Sequence, residues 1–522
     1  MQRPLGAQIS HMLKSRGVDV IFGIPGVHNQ EMYRGIEEAG ISHVLARHEQ
    51  GAGFMADGYA RASGKPGVAY VITGPGMCNI MTPMGQAYSD SVPILVISSC
   101  LDETAARKGQ LHQMKDQRGA AGTVCDWSEE ARTPEAAYTL IDRALREFDI
   151  ARPRSKHIQV PIAALCATAR MAPDAQLHAA ASAVPQEMPL KRILAARKPL
   201  FVFGGGAKHA VAAARQVVQR LGAASFTTYA GRGICAGDDP LCFGAMLARP
   251  DSASVIAQAD LVIAVGTELA QTDLWRDDLG ATGDMIRVDI DATGFAHPKA
   301  LNILCDANVF LQGLADHLDG HSADTDWAAA DILATRVRWR AEIGAERPGI
   351  LPVCDVLKAM LPKDVMIFSD MTQFAYAAKE VWDMDRPGQW HHPYGFGTLG
   401  YATPAAIGGA IARPDQRTIA VIGDYGFHYT MQELGVAVEL GLSLPILLWD
   451  NGKLGEIEAS MVSAQIAPNA VVARNPDFCK LAEAFGARSA APATLEALQN
   501  AIDDAFAADG PTLIHVASDI AL

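Results

Sequence analysis

The chain has 522 residues, more than one hydrophobic core accommodates, and this length predicts about three domains. A formal charge of −14 without dense Lys/Arg clusters argues against nucleic acid and acidic membranes as partners. No apolar run is as long as a membrane span, and the start of the chain lacks a signal-peptide core. We therefore expect a cytoplasmic protein, without a membrane partner, whose nine cysteines are reduced.

The pattern of apolar runs divides the chain into three segments. Residues 1–165 alternate runs such as "VDVIFGIPG", "GVAYVITGPG" and "PILVISS" with stretches of helical period, which is typical of a parallel sheet with crossover helices. The alternation resumes over residues 191–320 and again over 351–522. An Ala/Pro-rich linker over 166–190 and a charged helical connector over 321–350 separate these segments. The predicted fold class is α/β, with three doubly wound parallel-sheet domains in series.

Glu49 is the first candidate for a catalytic group. In "ARHEQGAGFMADGYARASGKPG" it follows the apolar run "ISHVLA" and begins a helix rich in small residues. Small residues permit close packing of such a helix on another surface. A glutamate in the first turn of a helix also interacts favourably with the helix dipole, and this structural role is the alternative to a catalytic one.

Two polar strand ends in the third segment predict a cation site. Gly423-Asp424-Tyr425 closes the run "TIAVI", and Asp450-Asn451 closes the next run, "LPILLWDN". Adjacent parallel strands place their carboxyl ends at one edge of a sheet, so Asp424 and Asn451 could both offer oxygen to Mg²⁺ there. Alternatively, Asp424 caps the following helix and Asn451 makes a turn.

Several motifs together resemble the acetolactate synthase branch of the thiamin-diphosphate enzymes. They are "RHEQGAGFMADGYARASGKPG", "TGPGMCN", "AYSDSVPILVISS", "GGGAKH" and "FGTLGYATPAAIGGA". The resemblance extends over nearly the whole chain and implies a pyrimidine-binding, a middle and a diphosphate-binding domain. The family's metal motif is Gly-Asp-Gly followed, after a gap in the mid-twenties, by Asn-Asn, and this chain departs from it at Tyr425 and Asp450.

The resemblance implies thiamin diphosphate and Mg²⁺ as cofactors. Glu49 matches the glutamate that hydrogen-bonds N1′ of the cofactor, and Leu399 matches the apolar residue beneath the bent thiamin. The metal would be held by the side chains of Asp424 and Asn451 and by the carbonyl of Lys453. FAD is possible in the middle domain, but "FGGGAKH" alone does not support it. The other implied cofactor contacts are Pro25, Gly76, Asn79, Gln373, Gly397, Gly423, Tyr425 and Gly426.

Three interpretations of Tyr425 compete. The tyrosine is tolerated because Gly426 supplies the flexible backbone, or its hydroxyl contacts phosphate, or it weakens cofactor binding. A tyrosine with a positive φ would be strained by about 1 kcal/mol.

The stretches "FGIPGVHNQEMYRG" and "GQLHQMKDQRG" look most like the 2-oxo acid decarboxylases that act on 5-guanidino-2-oxopentanoate. The resemblance implies decarboxylation of a 2-oxo acid through an enamine, with release of an aldehyde. It places His28, His112 and Gln113 on the substrate side, although each histidine could also be a surface residue. The alternatives are a carboligase of the acetolactate synthase type and an inactive homologue with a binding or regulatory role. The resemblance further implies a homodimer or homotetramer with active sites at the subunit interface.

Overall fold

The computed structural model describes residues 2–174, 185, 187–295, 297, 299–322 and 324–521. Three parallel sheets with flanking helices follow one another along the chain, which confirms the predicted fold class. The domain boundaries remain predictions. Within the predicted linker 166–190, Thr168–Ala169 pairs antiparallel with Arg3–Pro4, and residues 175–184 and 186 lie outside the described residues. In the described part of the chain, no helix is both long and apolar enough to cross a membrane.

The first sheet has six parallel strands whose side chains are mostly buried, as the apolar runs predict. In spatial order the strands are Ser42–Leu45, Val20–Gly23, Gly67–Val71, Ile94–Cys100, Lys156–Pro161 and Trp127–Glu130. Its helices are Leu5–Ser15, Gln30–Ala39, Glu49–Ser63, Pro75–Asp90, Gln117–Gly122, Pro134–Ile150 and Ile162–Cys166.

The middle sheet has five parallel strands. In spatial order they are Ala224–Thr227, Pro199–Phe203, Leu261–Val265, Asp284–Asp289 and Ala300–Leu304. The helices around this part of the chain are Leu190–Ala195, Val211–Leu221, Ser252–Ile256, Gln271–Leu274, Ala307–His317 and Ala329–Glu346. Short 3₁₀ turns, Gly205–Ala207 and Ala292–Gly294, follow two of the strands.

The third sheet has six strands and carries the predicted metal motif. In spatial order they are Trp390–His391, Met366–Ser369, Thr418–Gly423, Pro445–Asp450, Thr512–Ala517 and Arg488–Ala490. The helices in this part of the chain are Ile350–Met360, Gln373–Val381, Ala402–Ala412, Asp424–Thr430, Leu434–Glu439, Gly455–Ser463, Phe478–Ala484 and Leu495–Ala507, with a 3₁₀ turn at Met431–Glu433.

The described residues form two compact units. The first consists of residues within 1–180, 365–372 and 391–521, and the second of residues within 181–364 and 373–390. In the first unit, one hydrophobic cluster contains side chains from both the first and the third sheet region, including Phe54, Met55, Tyr401 and Phe427. The first and third sheets therefore share a core.

Two glycines let the helices Glu49–Ser63 and Ala402–Ala412 cross closely inside this core. A Cβ at Gly58 would overlap the carbonyl group of Ala405, and a Cβ at Gly408 would overlap that of Met55. The hydroxyl of Tyr401, beside the crossing, donates to Asp57 at 2.7 Å. Only glycine allows backbones to approach in this way. The small-residue helix beginning at Glu49 thus packs on another surface, as its composition predicts.

Candidate active site

The metal motif lies at the carboxyl edge of the third sheet. Gly423 pairs in register with Trp449 of the neighbouring parallel strand, so Asp424 and Asp450 leave the sheet side by side. The Nδ2 group of Asn475 donates to Asp424 Oδ2 at 2.8 Å and to Asp450 Oδ1 at 2.9 Å. On the far side of Asp450, His515 Nε2 lies 2.8 Å from Oδ2. Sequence reasoning did not find Asn475 or His515.

The electrostatics of this edge suit a cation. Burial and the neighbouring Asp450 carboxyl raise the pKa of Asp424. Burial would also raise the pKa of Asp450, but hydrogen bonds from His515 and from the Gly452 N–H outweigh it and lower that pKa. A bound cation would relieve the repulsion between the two carboxylates. No group of three or more His, Cys, Asp or Glu side chains that could hold a metal occurs in the described part of the chain, so a metal here needs amide and carbonyl oxygens as well.

Asn451 and Lys453 lie in the turn after Asp450. The Lys453 N–H donates to Asn451 Oδ1 at 3.2 Å, and Gly452 between them has a φ of +66°. Asn451 therefore makes the turn that was the structural alternative for it. The carboxylate of Asp424, the amide oxygen of Asn451 and the carbonyl of Lys453 are all hard oxygen donors, the type that Mg²⁺ prefers. The donor set at this edge fits the implied metal.

Tyr425 lies within the helix Asp424–Thr430, so its backbone is helical and unstrained. The interpretation that Gly426 supplies flexibility is wrong, because Gly426 is helical too. Glycine at position 426 is explained by close packing instead, because a Cβ there would stand 2.7 Å from Oδ2 of Asp370. Glycine at 426 makes room for a buried carboxyl group.

Asp370 is a residue that sequence reasoning missed. It follows the strand Met366–Ser369 and is fully buried. Its carboxylate accepts the Met371 and Gly400 N–H groups, each at 2.7 Å. Burial raises the pKa of Asp370 to about 7 despite these donors. Asp370 thus lies between the turn that contains Leu399 and the helix that contains Gly426.

Hydrogen bonds hold the turn around Leu399 to the helix Pro75–Asp90 of the first domain. The Thr398 hydroxyl donates to Gln86 Oε1 at 3.1 Å, and the Gly395 N–H donates to Asp90 Oδ1 at 2.7 Å. Gly397 has a φ of +65°, which glycine tolerates. Leu399 is half-buried. Gln373 begins the helix Gln373–Val381 in the second compact unit, so its predicted contact with the diphosphate remains a prediction.

Glu49, Gly76 and Asn79 form a second cluster of predicted residues. Glu49 is the first residue of its helix and only 7% exposed. Asn79 Nδ2 donates to Glu49 Oε2 at 2.8 Å, and a Cβ at Gly76 would lie 3.2 Å from Oε1. The glutamate therefore lies against the first turns of the helix Pro75–Asp90. Pro25, in the turn after the strand Val20–Gly23, is exposed.

His28 and His112 meet edge to face, with ring centroids 5.1 Å apart. The Nδ1 atom of each ring is buried and has no hydrogen-bond partner among the residues that the structure describes. Burial and the charge of His112 lower the pKa of His28. Gln113 has a different environment: its Nε2 group donates to the Thr104 and Arg107 carbonyls at 3.1 and 2.7 Å. The structure therefore brings the two histidines together and uses the amide of Gln113 to hold its own loop.

The Glu49 cluster and the Asp424 cluster belong to the same compact unit. In the ranges that the structure describes, no hydrogen bond or ion pair joins Glu49 or Asn79 to Asp424, Asp450 or Asn475. One cluster presents a buried acid, and the other presents oxygen atoms of the type that could bind a cation.

Three family models match the chain. They describe the N-terminal, central and C-terminal domains of thiamine pyrophosphate enzymes and match residues 3–120, 189–314 and 370–516. A probable 2-ketoarginine decarboxylase, AruI, of Pseudomonas aeruginosa is 43% identical over 98% of this chain and 93% of its own length. The acetolactate synthase isozyme 2 large subunit of Escherichia coli is 28% identical over 98% and 95%. The mitochondrial acetolactate synthase catalytic subunit of Saccharomyces cerevisiae is 28% identical over 98% and 80%.

Proposed function

The chain belongs to the thiamine pyrophosphate enzymes, and from this premise we propose that it decarboxylates a 2-oxo acid and releases an aldehyde. The observation that carries the proposal is the buried carboxyl of Glu49, fixed by Asn79. Identity to the decarboxylase relative is 43%, against 28% for the synthases, and this difference favours decarboxylation over carboligation. Membership of an enzyme family disfavours an inactive homologue.

Glu49 is the group proposed to activate the cofactor. Bound thiamin diphosphate supplies a nucleophilic carbon, C2, and an electron sink for the departing CO₂. Glu49 would hold a proton at N1′ of the aminopyrimidine ring, and Asn79 would keep the glutamate oriented through its bond to Oε2. Gly76 would leave room for the ring beside Oε1, because any side chain at this position would approach the carboxyl group.

We assign the anchoring of the cofactor to the third domain. Asp424, Asn451 and the carbonyl of Lys453 would bind Mg²⁺, and the cation would neutralise the diphosphate. Leu399 would support the thiamin. The further contacts in this proposal are Pro25, Gln373, Gly397, Gly423, Tyr425 and Gly426.

His28 and His112 are the proposed proton donors to the product. Two imidazoles in contact can pass a proton between a substrate atom and solvent, and each has a buried nitrogen without a hydrogen-bond partner in the described ranges. Gln113 would act on the substrate side only indirectly, by holding the loop that carries His112.

The proposed substrate is 5-guanidino-2-oxopentanoate, the 2-oxo acid derived from arginine. The support is the name of the Pseudomonas relative together with the extent of its similarity. We further propose a cytoplasmic homodimer or homotetramer. In the described part of the chain, no hydrogen bond or ion pair joins the Glu49 cluster to the Asp424 cluster, which supports an active site that is completed by a second subunit.

The test is an assay of the purified protein with thiamin diphosphate and Mg²⁺. Incubation with 5-guanidino-2-oxopentanoate should yield CO₂ and 4-guanidinobutanal in equal amounts, and Glu49→Gln should lower turnover by about two orders of magnitude. Pyruvate should yield little acetolactate. Acetolactate as the main product, or undiminished turnover by Glu49→Gln, would contradict the proposal.

A further inference from the structure

A second buried acid, Glu433, lies beneath the start of the Glu49 helix. It ends the 3₁₀ turn Met431–Glu433 in the third domain and is fully buried. Its two carboxylate oxygens accept the Arg47 N–H at 3.2 and 3.1 Å. Arg47 stands two residues before Glu49, so a side chain from the third domain holds the backbone that leads into the activating glutamate.

The first turn of the helix Glu49–Ser63 leaves space for the Glu433 carboxyl group. A Cβ at Gly51 would overlap the Glu433 carboxyl group, so only glycine leaves the space that it fills. Burial raises the pKa of Glu433 to about 7, although the Arg47 and His48 N–H groups counteract this effect. The charge of Glu49 contributes to the same rise. Glu433 is thus fitted to the N-terminus of this helix.

The Glu49 carboxyl has few other constraints. Among the described contacts, Asn79 provides its hydrogen bond on the side of the first sheet. The direction in which the side chain leaves the helix depends on the backbone of Arg47 and His48, since these residues precede the first helical turn. A shift of this backbone would move the acid relative to a bound ring.

On the basis of the proposed function, we propose that Glu433 is a positioning residue for Glu49. It fixes the start of the helix so that Glu49 meets the aminopyrimidine ring in the geometry needed for activation. Glu433 touches neither the cation ligands nor Asn79 in the described contacts, so its removal should impair activation of the cofactor and spare its anchoring. A merely structural role would instead lower stability, affinity and activation together.

The experiment compares Glu433→Ala and Glu433→Gln with wild type in the holoenzyme. Exchange of the cofactor's C2 proton with deuterium reports activation, and calorimetric titration with thiamin diphosphate and Mg²⁺ reports anchoring. We expect at least tenfold slower exchange in Glu433→Ala. Glu433→Gln should exchange at an intermediate rate, because it keeps one acceptor oxygen. The affinity for thiamin diphosphate should change by less than threefold in both variants. Wild-type exchange in both variants, or affinity falling in parallel with exchange, would overturn the inference.

Glu439→Gln is the matched control. Glu439 pairs with the guanidinium of the same arginine, Arg47, but does not touch its backbone. This variant should exchange at the wild-type rate. If Glu439→Gln slowed exchange as much as Glu433→Ala, the effect on exchange would come from the ion pair of the Arg47 side chain and not from the Glu433 carboxyl group.

Gly51→Ala provides a variant that keeps Glu433 and displaces it. We expect slowed exchange here too, and less than additive slowing in the double variant Gly51→Ala/Glu433→Ala, because the clash disappears with the carboxyl group. Full additivity would contradict the inference. A wild-type protein that neither binds thiamin diphosphate nor responds to Glu49→Gln would instead contradict the proposed function.

Discussion

Asp424 follows one strand, Asp450 ends the neighbouring strand, and the two carboxylates share one donor, the Asn475 amide. Without a cation, burial and the nearby Asp450 raise the pKa of Asp424, which shows that this edge resists two negative charges. A diphosphate would add further negative charge. On the proposed function, cofactor binding would therefore depend on the metal.

Asp424→Ala should abolish Mg²⁺-dependent binding of thiamin diphosphate, because the bridging cation would lose its carboxylate ligand. Calorimetric titration with and without a chelator measures this effect. Asn475→Ala serves as a comparison that keeps both acids. An affinity of Asp424→Ala equal to that of wild type would place the metal elsewhere.

Tyr425 lies in an ordinary helical turn, so replacing it relieves no backbone strain. Tyr425→Gly should alter cofactor affinity by less than tenfold, or about 1.4 kcal/mol. Binding tightened well beyond tenfold would indicate that the ring obstructs phosphate. A loss greater than tenfold that Tyr425→Phe reproduces would assign a phosphate contact to the hydroxyl.

Asp370 makes stability depend on pH. Its pKa is about 7 in the folded protein, against 3.8 for the free side chain. The folded state therefore keeps a proton that the unfolded chain has released, and stability falls as pH rises through this window. Between pH 5 and pH 8 the wild type should lose about 2–3 kcal/mol relative to Asp370→Asn. Denaturant unfolding across this range measures the difference, and a flat or rising difference would contradict the assignment.

At the scale of elements, the crossing of the helices Glu49–Ser63 and Ala402–Ala412 joins the first and third sheets. Gly58→Ala places a methyl group on a carbonyl that cannot move independently of its helix, and should cost about 3 kcal/mol. Gly510→Ala is the matched control, because a Cβ there would have no neighbour within 4 Å, and we expect a change within about 0.5 kcal/mol. Thermal unfolding distinguishes the two. Equal stabilities would show that the crossing can open at little cost.

The sequence predicts elements better than it predicts their contacts. Buried strands follow from apolar runs, and Glu49 and Asp424 follow from motifs at fixed spacing. Asn475, Asp370 and Glu433 escape such reasoning, because each acts on a residue distant in the chain and none has a local pattern that marks its partner. Gly51 and Gly426 carried a signal that was available: each is a glycine in a helix where alanine would suit the backbone better.

At the scale of the whole molecule, the proposed active site at a subunit interface predicts complementation between subunits. Consider a hybrid dimer of one Glu49→Gln chain and one Asp424→Ala chain. If each active site takes Glu49 from one chain and Asp424 from the other, one site of the hybrid carries both substitutions and the other site carries neither. Random mixing during co-expression should then restore up to about a quarter of wild-type activity. Differently tagged chains allow the hybrids to be purified and assayed. Inactive hybrids would show that each site lies within a single chain.

The first compact unit is discontinuous in the chain, and this has a consequence during synthesis on the ribosome. The helix Glu49–Ser63 emerges roughly 340 residues before Ala402–Ala412, against which its glycine face packs. At a synthesis rate of about 5–20 residues per second, the glycine face of this helix stays uncovered for roughly 20 to 70 s. The apolar residues Phe54 and Met55 are therefore available to chaperones, or to another nascent chain, throughout this interval.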